Sequence, residues 1–277
     1  MSDKAPVVSD NGGVSDNAPV CLATRFLEKV WGTTDLLPWY PKSEKKIGEV
    51  WFEANLPLLV KFVFTSERLS VQVHPNDDFA AAHENSRGKT EMWYVMRADP
   101  GAQLAIGFRE PLSSERLRQA ALSGEIEQLL SWIDVEAGDA FFVPAGTVHA
   151  IGGGLALCEI QQHSDITYRL YDYGRPRELH LDKAVQVAFT GASDAESVML
   201  PIDCQYFHTE LAMTSSSLLY KPEPGRFHIL IFASGLGKIA GQPFREGEAW
   251  LIPAAGAPFS IEPDGPVKFL RTWVPTP

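Results

Sequence analysis

The chain has 277 residues, 45% of them apolar, and a formal charge of −11, enough for one large domain or two smaller ones around a substantial core. So acidic a chain argues against nucleic acid as a partner, because a phosphate backbone calls for a basic surface. No run approaches the ~20 apolar residues that a bilayer-spanning helix needs, which excludes membrane and transport roles.

Residues 1–20 are rich in Ser, Asp, Asn, Gly and Pro and repeat Val-Ser-Asp-Asn at 8–11 and 14–17. Such a composition has little to bury and reads as a disordered tail. It also lacks the basic segment and apolar core of a secretory signal. The three cysteines, Cys21, Cys158 and Cys204, have no metal-binding spacing and are an odd number, so no disulfide framework is expected. A reducing cytoplasm is the expected setting. From Phe26 apolar residues become frequent, and Val50 to Val63 runs in short pieces compatible with strands.

In an extended Leu69-Ser70-Val71-Gln72-Val73-His74-Pro75, Ser70, Gln72 and His74 fall on one face and Leu69, Val71 and Val73 on the other. Asn76 or Asp77 caps a short helix through Phe79 to His83, followed by a turn over residues 84–88. The next strand, from Lys89 to Val95, puts Lys89, Glu91, Trp93 and Val95 on one face. Ser113 or Ser114 caps a helix carrying Leu117, Ala120 and Ala121, Gly124 stops it, and Ile126, Leu129 and Leu130 suggest a second short helix. A strand from Gly138 to Val143 then closes in a Pro/Gly turn that presents His149.

Two histidines, a glutamate and a glutamine brought to one cavity fit a first-row divalent ion. Neutral ligands and one carboxylate leave a zinc ion with a net charge of about +1, which favours a developing oxyanion. A structural zinc site would more often use thiolates, so Gln72, His74, Glu91 and His149 read as catalytic ligands. Ser70 shares their face and is a candidate substrate contact.

Residues 150–177 are strand-like around Leu155, Leu157 and Ile160, Leu181 to Phe189 suggests a helix with Asp182 near its start, and residues 192–203 read as a connection. The remainder reads as short strands. Phe227 to Phe232 leads into a Gly-rich turn at residues 234–237, and Gly247 to Pro253 repeats the spacing of Gly138 to Pro144.

The spacing of Gly138, Pro144, Gly146 and His149 resembles the second motif of the cupin superfamily. Gln72-x-His74, where the common cupin pattern has His-x-His, is similar to the type I phosphomannose isomerases. The likeness extends through Val30-Trp31-Gly32, Gly48-Glu49-Val50-Trp51, Pro57-Leu58-Leu59-Val60-Lys61, Lys89-Thr90-Glu91 and residues 158–175. Most of residues 22–277 thus resembles the short bacterial form of that family, without the separate helical domain of its longer members.

The resemblance implies a mainly β fold of two cupin-like jelly-roll barrels with a few short helices. Residues 21–190 would form the catalytic barrel and residues 191–277 a second, metal-free one, with no histidine where His149 would be and with His228 a packed or surface residue. It further implies interconversion of mannose 6-phosphate and fructose 6-phosphate through an enediol or enediolate, with one Zn2+ per chain or another divalent first-row metal in its place. Arg169 would meet substrate phosphate or developing charge, Lys89 would transfer protons or bind hydroxyls, and Glu159 would have a catalytic or orienting role. The expected partner is a small sugar phosphate, and the expected state a monomer or weak homo-oligomer. Two alternatives stay open: a metal-dependent cupin of other chemistry, such as an iron dioxygenase, and a non-catalytic sugar-phosphate sensor.

Overall fold

Antiparallel pairing joins the strands of each sheet. The computed structural model describes residues 17–275 apart from residue 194. Among these, the strands form four open sheets, arranged as two sandwiches. The first sandwich faces a six-stranded sheet, in the order Ala23–Thr33, Ile47–Glu53, Leu58–Thr65, Leu155–Gln162, Glu91–Ala98 and Ala140–Val143, against a five-stranded one. The second faces a six-stranded sheet that includes His208–Thr214, His228–Ser234, Ala249–Ile252 and Val267–Trp273 against a four-stranded one. The fold is mainly β and cupin-like, as expected, although the sheets do not close into complete barrels.

Leu58–Thr65 shows why the strands read as nearly continuous apolar runs. All eight of its residues are buried, because both faces of the sheet are covered. Leu58, Val60, Phe62 and Phe64 enter a core shared with Ile229, Ile231 and Leu270 of the second sandwich. The two six-stranded sheets therefore pack back to back. Trp39 and Tyr40 reinforce the seam by donating to the carbonyl oxygens of Ala233 (2.7 Å) and Gly247 (2.5 Å). The opposite face of the same strand carries Val63 into the core between the sheets of the first sandwich, with Trp93, Leu104 and Leu157.

The expected helices are present, with their caps. Helix α1, Asp77–Glu84, starts at Asn76, whose side chain accepts from the Phe79 amide (3.0 Å). Helix α2, Ser114–Ser123, starts at Ser113, which accepts from the Arg116 amide (3.1 Å), and stops at Gly124, whose φ of 84° suits glycine. Helices α3, Ile126–Leu129, and α4, Leu181–Val187, complete the set. Residues of α2, α3 and α4 join Val71, Val73 and Ala150 in a core on the outer face of the five-stranded sheet. No helix among the described residues is long and apolar enough to cross a membrane.

Two local expectations shift. Residues 1–16 of the expected tail lie outside the described residues, but Val20–Cys21 is already a strand, paired with Leu251 and Trp250 of the second sandwich. Leu69 does not stand apart from Ser70, for both line the same cavity. The regular strand is only Val71–Val73, so alternation does not extend back to Leu69.

His228 lies wholly buried in the second sandwich, where its Nδ1 meets the Tyr220 hydroxyl at 2.6 Å. Burial, and then the Arg271 guanidinium, lower its pKa from 6.5 to about 4. The unfolded chain thus takes up a proton between those values that the folded chain refuses, so stability is complete above 6.5 and is lost as the pH falls. His228→Gln removes that titration. On lowering the pH from 6.5 toward 4 the melting temperature of the wild type should fall relative to that of the variant, and a constant difference would contradict the assignment.

Candidate active site

Gln72 is the central residue of the short strand Val71–Val73, with His149 as its cross-strand partner on one side and Arg169 on the other. Glu91 arrives from the facing sheet as the first residue of Glu91–Ala98. The Pro/Gly turn before His149 is fixed to the same place, since the Gly146 amide donates to the His74 carbonyl oxygen at 2.8 Å and Gly146 adopts φ 88°. Residues far apart in the chain thus meet where the two sheets of the first sandwich face each other.

His74, Glu91 and His149 offer donor atoms that lie within 4.8 Å of one another, all on buried side chains. Their Nε2 atoms stand 3.6 Å (His74) and 3.3 Å (His149) from the two oxygens of Glu91. Each Nδ1 faces a carbonyl oxygen, Ile166 for His74 (2.8 Å) and Thr147 for His149 (2.9 Å). A carbonyl only accepts, so both Nδ1 atoms carry the hydrogen and both Nε2 lone pairs point inward, as metal-binding histidines require. Burial holds both rings well below their ordinary pKa, His149 at about 4, and so keeps them in the neutral form that ligates. The donors present therefore fit a divalent metal. The Gln72 amide lies 3.2 Å from His149 Nε2 through its nitrogen, and turning the amide over would present its oxygen instead.

A ladder of buried charge adjoins this group. Lys89 Nζ is 3.0 Å from both His74 Nε2 and Glu91 Oε2 and 3.6 Å from Glu159 Oε1. Lys61 Nζ reaches the same Glu159 oxygen at 2.9 Å, and the Trp93 indole donates to Oε2 at 3.2 Å. Burial by itself would raise the Glu159 carboxyl, but Lys61 and Lys89 together pull it far below the usual carboxylate range. Glu91 is pushed the other way, up to about 7, by burial and by the charge on Glu159.

Above the ladder opens a cavity of about 470 Å³. Ser70, Gln72, Lys89, Glu159 and Arg169 all line it, so every residue expected to touch substrate is brought to one space. Its basic side chains are Arg25, Lys29, Lys61, Lys89, Arg169 and Arg177, against only three acidic ones, Glu49, Glu159 and Asp165. Behind the lining, Glu53, Glu91 and Asp172 pair with Arg25, Lys89 and Arg177, which leaves Arg169, among the described residues, as the cation without a carboxylate partner and as a contact for an anion. Arg169 donates to the Glu178 carbonyl oxygen (2.9 Å) and, among the described residues, forms no ion pair, while its buried Nε has no hydrogen-bond partner.

The chain is 32% identical to mannose-6-phosphate isomerase ManA of Bacillus subtilis, over 88% of this chain and 96% of that one. It belongs to the mannose-6-phosphate isomerase family. A mannose-6-phosphate isomerase of Streptococcus mutans is 48% identical over 49% of this chain and 44% of its own. The crystal structure of mannose 6-phosphate isomerase from Bacillus subtilis superposes with a TM-score of 0.81 at 28% identity, covering 92% of this chain and 99% of that one. A putative mannosephosphate isomerase from Archaeoglobus fulgidus gives the same TM-score at 18% identity over 96% of this chain and 100% of its own, a likeness of fold. No family model matches the chain.

As a family member of type I, the chain carries its isomerase motifs on the strands that meet here. Lys61, Glu49 and Trp51 belong to those motifs, yet nothing in their spacing assigned them a place in the site. The available signal was a single charge in the apolar run Leu58 to Phe64, since a lysine buried on a sheet needs a buried partner.

Removing that partner tests the ladder. Lys61→Met should destabilise the fold by about 3–5 kcal/mol by leaving Glu159 short of a counter-charge, whereas Lys45→Met, which breaks the exposed pair with Glu28, should cost under about 1 kcal/mol. Equal losses in urea unfolding would show that the ladder contributes nothing special.

Proposed function

We propose that the chain interconverts mannose 6-phosphate and fructose 6-phosphate, with His74, Glu91, His149 and Gln72 holding one zinc ion. The observation that carries this reading is the buried His74–Glu91–His149 donor group beside a cavity lined by six basic side chains, in a chain of the isomerase family. When bound, the metal supplies a Lewis acid that polarises the oxygens of the reacting carbons.

The protein supplies the rest. Moving a proton between C1 and C2 needs a group that gives and takes it, and Lys89, beside the donor atoms of His74 and Glu91, is in reach of the same oxygens and carbons. Glu159 is held too firmly ionised to be an efficient base, so its role is to fix Lys61 and Lys89. Arg169 faces the cavity without an anionic partner and answers charge on the substrate, while Ser70 contacts its hydroxyls. In this reading residues 21–190 make up the catalytic part and residues 191–277 the metal-free part, with the strand Val20–Cys21 crossing to the second sandwich. No observation favours a dioxygenase or a non-catalytic sensor.

Purified protein should turn over mannose 6-phosphate in a coupled assay, lose activity on chelation and regain it with zinc. Failure of the metal-replete protein would overturn the reading. His74→Ala and His149→Ala should each abolish binding of one metal per chain, measured by elemental analysis, and undiminished stoichiometry would remove them from the ligand set.

Arg169→Ala should reduce kcat/KM by roughly ten- to a hundred-fold, the worth of a charged hydrogen bond. Arg169→Lys should recover only part, because lysine lacks the planar fork. Metal content and melting temperature should remain near those of the wild type, and loss of either would make Arg169 structural.

A further inference from the structure

We propose that the phosphate end of the substrate is held by Lys29 and Arg25, on the strand Ala23–Thr33 at the far side of the cavity from the donor group. The inference rests on the sugar-phosphate isomerase reading and adds the place where the phosphate is recognised.

Six basic side chains line the cavity, and four of them are committed elsewhere. Lys61 and Lys89 neutralise the buried carboxylates Glu159 and Glu91. Arg177 is bound through two nitrogens to both oxygens of the buried Asp172, at 2.5 and 2.6 Å. Arg169 is the cross-strand partner of Gln72, and neighbouring strands lie only about 4.8 Å apart. It therefore stands at the reacting end of the sugar, whereas the phosphate hangs from the opposite end of the six-carbon chain.

Lys29 and Arg25 stand where that end falls. Residues 25, 27, 29 and 31 alternate onto one strand face, and all four line the cavity, passing from exposed Arg25 to buried Trp31. Sheet register sets Arg25, Trp51, Lys61 and Glu159 side by side on successive strands. The Trp51 ring lies between the two cations, its centroid 4.8 Å from the Arg25 guanidinium and 5.8 Å from Lys61 Nζ. Arg25 is thus separated from the donor group by the whole row, with the floor between them provided by the indole.

Both cations are loosely held. Arg25 meets the exposed Glu53 through Nε (3.1 Å), a surface contact that a bidentate grip on phosphate can replace. Lys29 lies 3.5 Å from Glu49 Oε2, and that oxygen already accepts from the Trp51 indole at 2.8 Å. Burial would raise the Glu49 carboxyl, but Lys61, then Lys29 and the indole, hold it below its ordinary range, so it stays an anion if Lys29 turns to the substrate. The Arg25–Glu53 pair is exposed, so exchanging it for a phosphate dianion costs little, while the buried Glu49 keeps the Trp51 indole as donor and Lys61 as a neighbouring charge.

The test uses metal-replete wild type, Lys29→Ala, Arg25→Ala, the double variant, and Lys45→Ala as a control that removes a surface charge outside the cavity. Steady-state kinetics on mannose 6-phosphate and calorimetric titration with inorganic phosphate are measured for each. The double variant should raise KM and weaken phosphate binding by roughly ten- to a hundred-fold, the range for a lost charged hydrogen bond, with kcat changing far less, as expected for uniform binding. Lys45→Ala should resemble the wild type. The proposal is overturned if KM and phosphate affinity survive the double substitution, if kcat falls as steeply as KM rises, or if Lys45→Ala does the same. Should the wild type fail to turn over mannose 6-phosphate, the isomerase reading falls. The phosphate titration then decides the anion subsite separately, with equal binding to wild type and double variant, or none to wild type, refuting it.

Discussion

The alternation of buried charge along Lys61, Glu159, Lys89 and Glu91 is the constraint around which the first sandwich is organised. Each of these side chains is at most 9% exposed, and none would be tolerated there without an opposite neighbour. Register makes the alternation possible, since Lys61 and Glu159 are direct cross-strand partners. Lys89 approaches from the segment leading into Glu91. The apolar residues on the reverse face of the same strands lock the sheet against the second sandwich, so the charged face cannot relax by moving its backbone. A rigid hydrophobic seam on one side and an ordered polar face on the other are two consequences of one alternating sequence.

The second sandwich repeats this geometry with the charges exchanged. Ala140–Val143 pairs with Glu91–Ala98 as Ala249–Ile252 pairs with His228–Ser234, and His228 occupies opposite Ile252 the register position that Glu91 occupies opposite Val143. One step along, Glu159 pairs with Lys61 in the first sandwich, and Arg271 pairs with Glu210 in the second. The ion pairs measure 2.9 and 2.7 Å. The same framework thus accepts either polarity at this level. What differs is the filling: the Tyr220 hydroxyl contacts His228, and the Trp273 ring packs within 5.2 Å of it, where the first sandwich has Gln161 and the Glu91 carboxylate facing two histidines.

Much of this was legible in the chain. Helix ends were readable because Asn76, Ser113 and Gly124 act through local geometry, a side chain reaching an amide three residues on or a left-handed φ. The ligand faces were readable because strand alternation is equally local. Lys61 was not, for its meaning lies in Glu159, nearly a hundred residues away, and an isolated lysine in an apolar strand has no pattern until register is known. The strand Val20–Cys21 was missed for a related reason. Its partner is in the second sandwich, and two residues after a Pro- and Asn-containing segment carry no periodicity of their own.

The cavity's electrostatics follow from where the ladder stops. Inside, Lys61 and Lys89 are matched by buried carboxylates, because water cannot screen them. Toward the mouth the matching loosens, and Arg25 has only an exposed glutamate. An anion entering the cavity therefore meets exposed, exchangeable pairing at the rim and fixed pairing at the floor. Such a gradient suits a molecule with one charged end, for which the proposed phosphate contacts lie at the rim and the donor group at the floor. Orientation then needs no moving part, since the same burial that forces pairing at the floor releases it at the rim.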